Sequence, residues 1–141
     1  MRHDFRTVMR TGKSFLLTAV YLWALINKMK VRAAAPTGIA AANILVEGTD
    51  VAATTIHALF QFDATLQTKL DFSRLDNKNV AEMLETTILM LDEVSMLDTI
   101  VWHKIIEVLG IAQQTRRPNA QPKDEIGEVH LLLFGDFKLL S

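Results

Sequence analysis

Ile88-Leu89-Met90-Leu91-Asp92-Glu93 decides the reading of this chain. The apolar run from Thr86 to Leu91 is what a strand buried on both faces looks like. With helices packed on either side, it has no solvent-facing alternate positions to fill with polar residues. Two adjacent acids then close it. Parallel sheets bind ligands beyond the carboxyl ends of their strands, so this strand delivers two carboxylates to the place where a ligand belongs. Asp92 is a candidate to hold Mg²⁺, directly or through water, and Glu93 to polarise an attacking water. The alternative is a pair of acids capping the next helix, where negative charge is also favoured.

Downstream, residues 95–112 carry helical spacing, with Met96, Ile100, Ile105 and Leu109 among the apolar positions. Residues 113–127 hold two prolines, Arg116 and Arg117, and read as a loop. A second apolar strand is expected over 129–134. It ends Leu131-Leu132-Leu133-Phe134-Gly135-Asp136. Glycine there lets a backbone or ligand approach closely, and Asp136 is a candidate sensor of a γ-phosphate. A plain turn after the strand reads equally well.

Upstream, residues 81–85 end a helix and 63–78 are mixed and polar, expected on the surface. Thr55 to Phe60 opens a helical turn with Thr54 or Thr55 as its cap. Residues 48–55 are a loop or short strand, and 39–46 a small helix. Pro36-Thr37-Gly38 is a turn after a short buried strand at 31–35. Residues 14–30 read as a largely buried helix with Ser14 near its start. Trp23 and Trp102 fall among apolar residues at helical spacing and are expected in the core. His57, beside Phe60, reads locally as a buried helix histidine.

Just before that first long helix stands Thr11-Gly12-Lys13-Ser14. Backbone N–H groups and the helix dipole favour an anion at such a point. The lysine can reach β- and γ-phosphates, and the serine hydroxyl can bind Mg²⁺. The full phosphate-loop pattern wants a glycine where Thr7 stands, so a serine cap beside a solvated lysine is an equal reading. The order is more specific than its parts. A Gly-Lys-Ser helix start, a strand ending Asp-Glu and a strand ending Gly-Asp follow one another as in a phosphate-loop NTPase core. Alternation of strands and helices implies a mainly parallel α/β sheet flanked by helices, with right-handed crossovers.

Composition agrees. The 141 residues suit one domain, 1–141. A chain of this size buries roughly 68–70% of its unfolded surface. With half its residues hydrophobic and 22% charged, the chain is globular in composition and not disordered. A net charge of −1 argues against a strongly basic nucleic-acid module but leaves room for a local basic groove. There is no cysteine, which excludes disulfides and cysteine-based metal or redox sites. The apolar run at 15–26 falls short of the ~20 residues that span a bilayer, so no membrane association is expected. Arg2, Arg6, Arg10 and Lys13 before that run imitate a secretory signal, but Asn27, Lys28 and Lys30 follow it without a cleavage pattern.

Four blocks resemble a known family in order and spacing. They are Ala35-Pro36-Thr37-Gly38-Ile39-Ala40-Ala41, Thr55-Ile56-His57, Leu91-Asp92-Glu93-Val94-Ser95-Met96-Leu97-Asp98 and Phe134-Gly135-Asp136-Phe137. The family is the petite integration frequency helicases of superfamily one, and Helitron transposon helicases share the blocks. The resemblance runs from Thr11 to Leu140. It implies the first RecA-like half of a DNA helicase that couples ATP hydrolysis to 5′-to-3′ unwinding. Roles in DNA repair, recombination and telomere maintenance go with it, as does a place in the nucleus or mitochondrion. By matching position, Gly12 and Lys13 would bind ATP phosphates, Ser14 and Asp92 would hold Mg²⁺, and Glu93 would be the catalytic base. Pro36, Thr37, Gly38, Thr55 and His57 would meet single-stranded DNA. Phosphate contacts of that kind position a strand without reading its sequence.

The chain departs from the family in three places. Thr7 and Arg10 occupy glycine positions of the phosphate loop. Non-glycine residues in left-handed conformations cost about 1–2 kcal/mol each, enough to weaken nucleotide binding about tenfold or more. Leu139 stands where a glutamine normally links γ-phosphate to DNA movement, and leucine cannot hydrogen-bond. The second RecA-like half, with its arginines, is expected to be absent, and an arginine finger is worth about 10³–10⁵ in rate. Residues 1–10 also lack the usual apolar strand. The expectation is therefore an incomplete helicase domain, inactive or nearly so alone. The alternative is a catalytically dead, single-strand-binding module derived from such a helicase or from a Helitron. A different phosphate-loop NTPase or kinase ranks last, because no residues specify an acceptor pocket.

Overall fold

A computed structural model describes residues 5–44, 53–117 and 129–135, with side chains from residue 16 onward. Its centre is a four-stranded, wholly parallel sheet in the order β2-β1-β3-β4. The strands are β1 (Val31–Ala35), β2 (Thr54–Thr55), β3 (Ile88–Leu91) and β4 (His130–Leu133). Period-two geometry sends alternate side chains to opposite faces. On one face Ala33 and Ala35 of β1 and Ile88 and Met90 of β3 meet α1 (Phe5–Ile26) and α2 (Gly38–Ala42), through Leu17, Ala24 and Ala41. On the other, Ala34, Leu89 and Leu91 meet α3 (Ile56–Leu59), α4 (Lys78–Glu85) and α5 (Thr99–Arg116). All four residues of β3 are buried, which is why its sequence shows no alternation.

The helices bury narrower stripes than their apolar content suggests. On α1 the covered positions are Leu17, Val20, Tyr21 and Ala24, at the i, i+3, i+4, i+7 spacing of one helix face. Leu16, Leu22, Leu25 and Ile26 are exposed. Trp23 is also exposed, at 53%, and is not a core residue; it lies one helical step off the buried stripe. Trp102 is partly buried against the second cluster, as expected of a core tryptophan. On α5 the buried face is Ile105, Val108, Leu109 and Ala112, while Ile100 is exposed, as is Met96 ahead of the helix.

Boundaries moved for identifiable reasons. α5 begins at Thr99, because Asp98 accepts a hydrogen bond from the Ile100 N–H at 2.9 Å and caps it; Val94–Met96 form a separate short turn. It also runs on through Gln113 to Arg116, into the expected loop. The Arg116 guanidinium donates to the Leu84 and Met83 carbonyls at 2.7 and 3.0 Å, closing the end of α4. The polar segment after α3 is not all surface, since Leu70 and Phe72 are buried in the second cluster. The strand expected at 129–134 is β4, and the rest of the loop expected at 113–127 lies outside the described residues from 118 on, as do residues 45–52.

Candidate nucleotide and DNA site

The Asp92 N–H donates to the Ala34 carbonyl at 2.9 Å, continuing the β1–β3 ladder one residue past the strand. Its carboxylate Oδ1 accepts from the Glu93 N–H at 2.9 Å, and the residue is only 5% exposed. Glu93 then turns into the left-handed region, with φ 54° and ψ 38°. For a non-glycine residue this costs about 1–2 kcal/mol, and such strain gathers at functional sites. Glu93 makes no cap hydrogen bond to the turn after it, and α5 is capped by Asp98. The acidic pair is therefore not the cap of the next long helix.

The tip of β4 is locked onto the same turn. Phe134 N–H donates to the Leu91 carbonyl, and Val94 N–H to the Phe134 carbonyl, both at 2.9 Å. A Cβ at Gly135 would lie 3.2 Å from the backbone nitrogens of Val94 and Ser95 and from Val94 Cγ2. Glycine is needed here for close approach. Gly135→Ala is expected to cost about 1–3 kcal/mol by overpacking, read as a lower denaturant midpoint with unchanged slope. The two apolar strand tips thus converge, as their sequences suggested. Asp136 itself lies outside the described residues.

Four residues, 27–30, join α1 to β1, and Leu17 and Ala24 share a cluster with Ala33 and Ala35. The chain therefore doubles back, and the early turns of α1 point toward the carboxyl ends of the strands. Ser14 precedes Leu17 by three residues, about 4.5 Å of helix. The expected helix start at Ser14 is corrected, however. α1 begins at Phe5, so the backbone of Gly12, Lys13 and Ser14 is helical. Thr7 and Arg10, standing where glycines would break the helix, let it continue. In that form the amides of residues 12–14 are engaged within the helix and are not free to cradle phosphate.

The Pro36-Thr37-Gly38 and Thr55-Ile56-His57 segments meet at the same end of the sheet, with Ala35 and Thr55 in register on neighbouring strands. Each threonine hydroxyl accepts a capping bond: Thr37 from Ala40 N–H at 3.1 Å, Thr55 from Ala58 N–H at 3.2 Å. Each hydroxyl proton is then free to donate outward, as a phosphate contact requires. Thr37, Gly38 and His57 are exposed, and Pro36 and Thr55 partly so. His57 is therefore not the buried histidine its neighbours suggested. Its ring meets the edge of Phe62 at 5.9 Å.

No group of three or more His, Asp or Glu residues that could hold a metal occurs among the described residues. No described helix is long and apolar enough to cross a membrane.

A parallel sheet covered by helices on both faces, with a buried acid and a strained acid at the tip of its central strand, defines a RecA-like domain. Residues 10–139 match the AAA domain family. The chain belongs to that family, as the N-terminal RecA-like part of a Pif1-family helicase of superfamily one, the petite integration frequency group. The Pif1 helicase from Candida albicans is 30% identical, with a TM-score of 0.60 over 90% of this chain and 27% of that one. Unliganded Pif1 from Bacteroides sp is 29% identical, with a TM-score of 0.56 over 89% of this chain and 25% of that one. Bacteroides Pif1 in complex with ADP-AlF3 and ssDNA is 26% identical, with a TM-score of 0.53 over 89% and 26% of the two chains. The chain thus spans about a quarter of the solved helicases it matches. A search of curated proteins returned no match.

Proposed function

We propose that this chain supplies the first nucleotide-binding half of an ATP-dependent, 5′-to-3′ DNA helicase. The observation that carries the reading is the β3 tip, where buried Asp92 is followed by Glu93 in a left-handed conformation. Asp92 would hold the Mg²⁺ of MgATP, and Glu93 would orient and polarise the attacking water. Gly12, Lys13 and Ser14 would engage phosphates and metal, with Asp136 near the γ-phosphate. Pro36, Thr37, Gly38, Thr55 and His57 would hold single-stranded DNA. The ADP-AlF3 and ssDNA complex of the Bacteroides helicase supports both ligands. A second RecA-like domain would complete the ATP site with arginines. Repair, recombination and telomere maintenance, in nucleus or mitochondrion, are the settings this reading proposes.

Titration of a fluorescent ATP analogue with Mg²⁺ tests the nucleotide half. The native chain is expected to bind weakly, and Lys13→Ala to bind about tenfold or more weaker, since a lost charge-assisted contact is worth about 1.5–3 kcal/mol. Equal binding by the two proteins would remove the phosphate role of Lys13.

The helical backbone at residues 12–14 favours a second reading, a single-strand-binding module without catalysis. It predicts DNA binding that is indifferent to ATP and weakened by salt. Absence of binding at low salt ends that reading.

A further inference from the structure

The outer side of α1 is apolar and open. Between Ser14 and Asn27 the sequence carries no charged residue, yet Leu16, Ala19, Leu22, Trp23, Leu25 and Ile26 all face solvent. A helix that is apolar all round is normally covered all round. Here the sheet covers only the stripe of Leu17, Val20, Tyr21 and Ala24. We propose that a second copy of this chain covers the opposite side, through an antiparallel α1–α1 pair whose seam is Leu16, Ala19, Trp23 and Ile26. The pairing is independent of the nucleotide and DNA readings.

Spacing and symmetry carry it. The four seam residues stand three, four and three positions apart. That is the a/d repeat of helices that pack side by side at a shallow angle. All four are exposed, and they fall on the side of α1 away from its covered stripe. A two-fold interface must fit itself, so residue i meets j and j meets i. In an antiparallel pair centred beside Tyr21, Leu16 meets Ile26 of the second copy, and Ala19 meets Trp23 of the second copy. The small alanine leaves room for the indole, which is how facing layers interdigitate. A parallel pair would instead set indole against indole and alanine against alanine, leaving a clash beside a gap.

The size of the surface sets the strength. Trp23 is 53% and Ile26 81% exposed, and Leu16 and the flanking Leu22 are about half exposed. Together they give a pair that covers about 1,000 Å² over both copies, the lower end for a specific interface. The dimer is therefore weak and reversible. Lys28 lies past the seam, in solvent, and comes near the Lys13 turn of the other copy. Repulsion between exposed charges of this kind is small and screened by salt, so added salt tightens the pair.

Sedimentation velocity of the whole chain tests this over about 1–500 µM, the range in which a small interface dissociates. Monomer is expected to pass to dimer and to nothing larger, because a two-fold pair closes on itself. Trp23→Ala is expected to weaken the dimer about thirtyfold or more, as loss of a central aromatic anchor does. Leu16→Glu and Ile26→Lys should each weaken it. The double variant should recover part of that loss, because the antiparallel register sets the two new charges against each other. All three positions are exposed, so these variants keep the fold, which circular dichroism checks. Leu75→Lys, at an exposed apolar position outside α1, is the control and should change nothing. A chain that stays monomeric throughout overturns the pair, whatever else covers α1. Association that grows past dimers, or that Leu75→Lys weakens as much as Trp23→Ala does, overturns it too. A double variant weaker than either single one overturns the antiparallel register.

Discussion

Leu89→Ala is expected to destabilise the domain by about 2–5 kcal/mol, the usual range for truncating a leucine in a packed core. Leu89 has no exposure and lies at the middle of the sheet, in register with Arg32 on β1 and Leu131 on β4. Its side chain faces the cluster that holds Phe60, Ile105 and Leu109. Helices cover it, so the site has little room to collapse around a cavity. Domains have only about 5–15 kcal/mol of total stability, so the loss can take most of it. Urea unfolding followed by circular dichroism measures this. A change under about 0.5 kcal/mol, the size usual for surface substitutions, would show that β3 is not the centre of the core. The strand order would then be wrong.

Restoring the two missing glycines, Thr7→Gly with Arg10→Gly, is expected to raise MgATP affinity about tenfold or more. Two effects act in the same direction. Glycine inside a helix costs about 0.5–1 kcal/mol relative to alanine, so two of them weaken the first turns of α1 and favour a loop. They also remove about 1–2 kcal/mol of strain at each left-handed position that a phosphate cradle needs. With residues 12–14 helical in the present sequence, both gains are available. Titration with an ATP analogue checks it. Unchanged affinity would mean that the phosphate loop is disabled by something other than its lost glycines.

Much of the fold was legible because β3 and β4 advertise themselves as unbroken apolar runs, and because Thr55 and the turn after Ala35 end their strands with recognisable chemistry. The end of α1 was not. Thr11-Gly12-Lys13-Ser14 reads as a loop by motif, but Phe5, Arg6, Val8, Met9 and Arg10 place nothing in front of it that stops a helix. Motif and backbone propensity disagree there, and the backbone followed propensity. Trp23 was misread for a different reason. An apolar helix with exposed leucines has no polar face to fix its orientation, so the buried stripe of α1 had to be seen. The left-handed turns at Glu93 and Gln61 carry no glycine or asparagine to announce them, and only the structure reveals both.

A shared triphosphate site requires the early turns of α1 to reach the strand tips that carry Asp92. The chain has no cysteine, so spin labels placed at Leu16→Cys, an exposed position three residues beyond Lys13, and at Met96→Cys report one distance without background. Met96 is exposed, four residues beyond Asp92. With α1 running back along β1, helix rise and strand spacing put the labels about 25 Å apart or less, and closer still with MgATP. A separation of about 35 Å or more, unchanged by nucleotide, would place Lys13 at the far end of the sheet and contradict a shared triphosphate site.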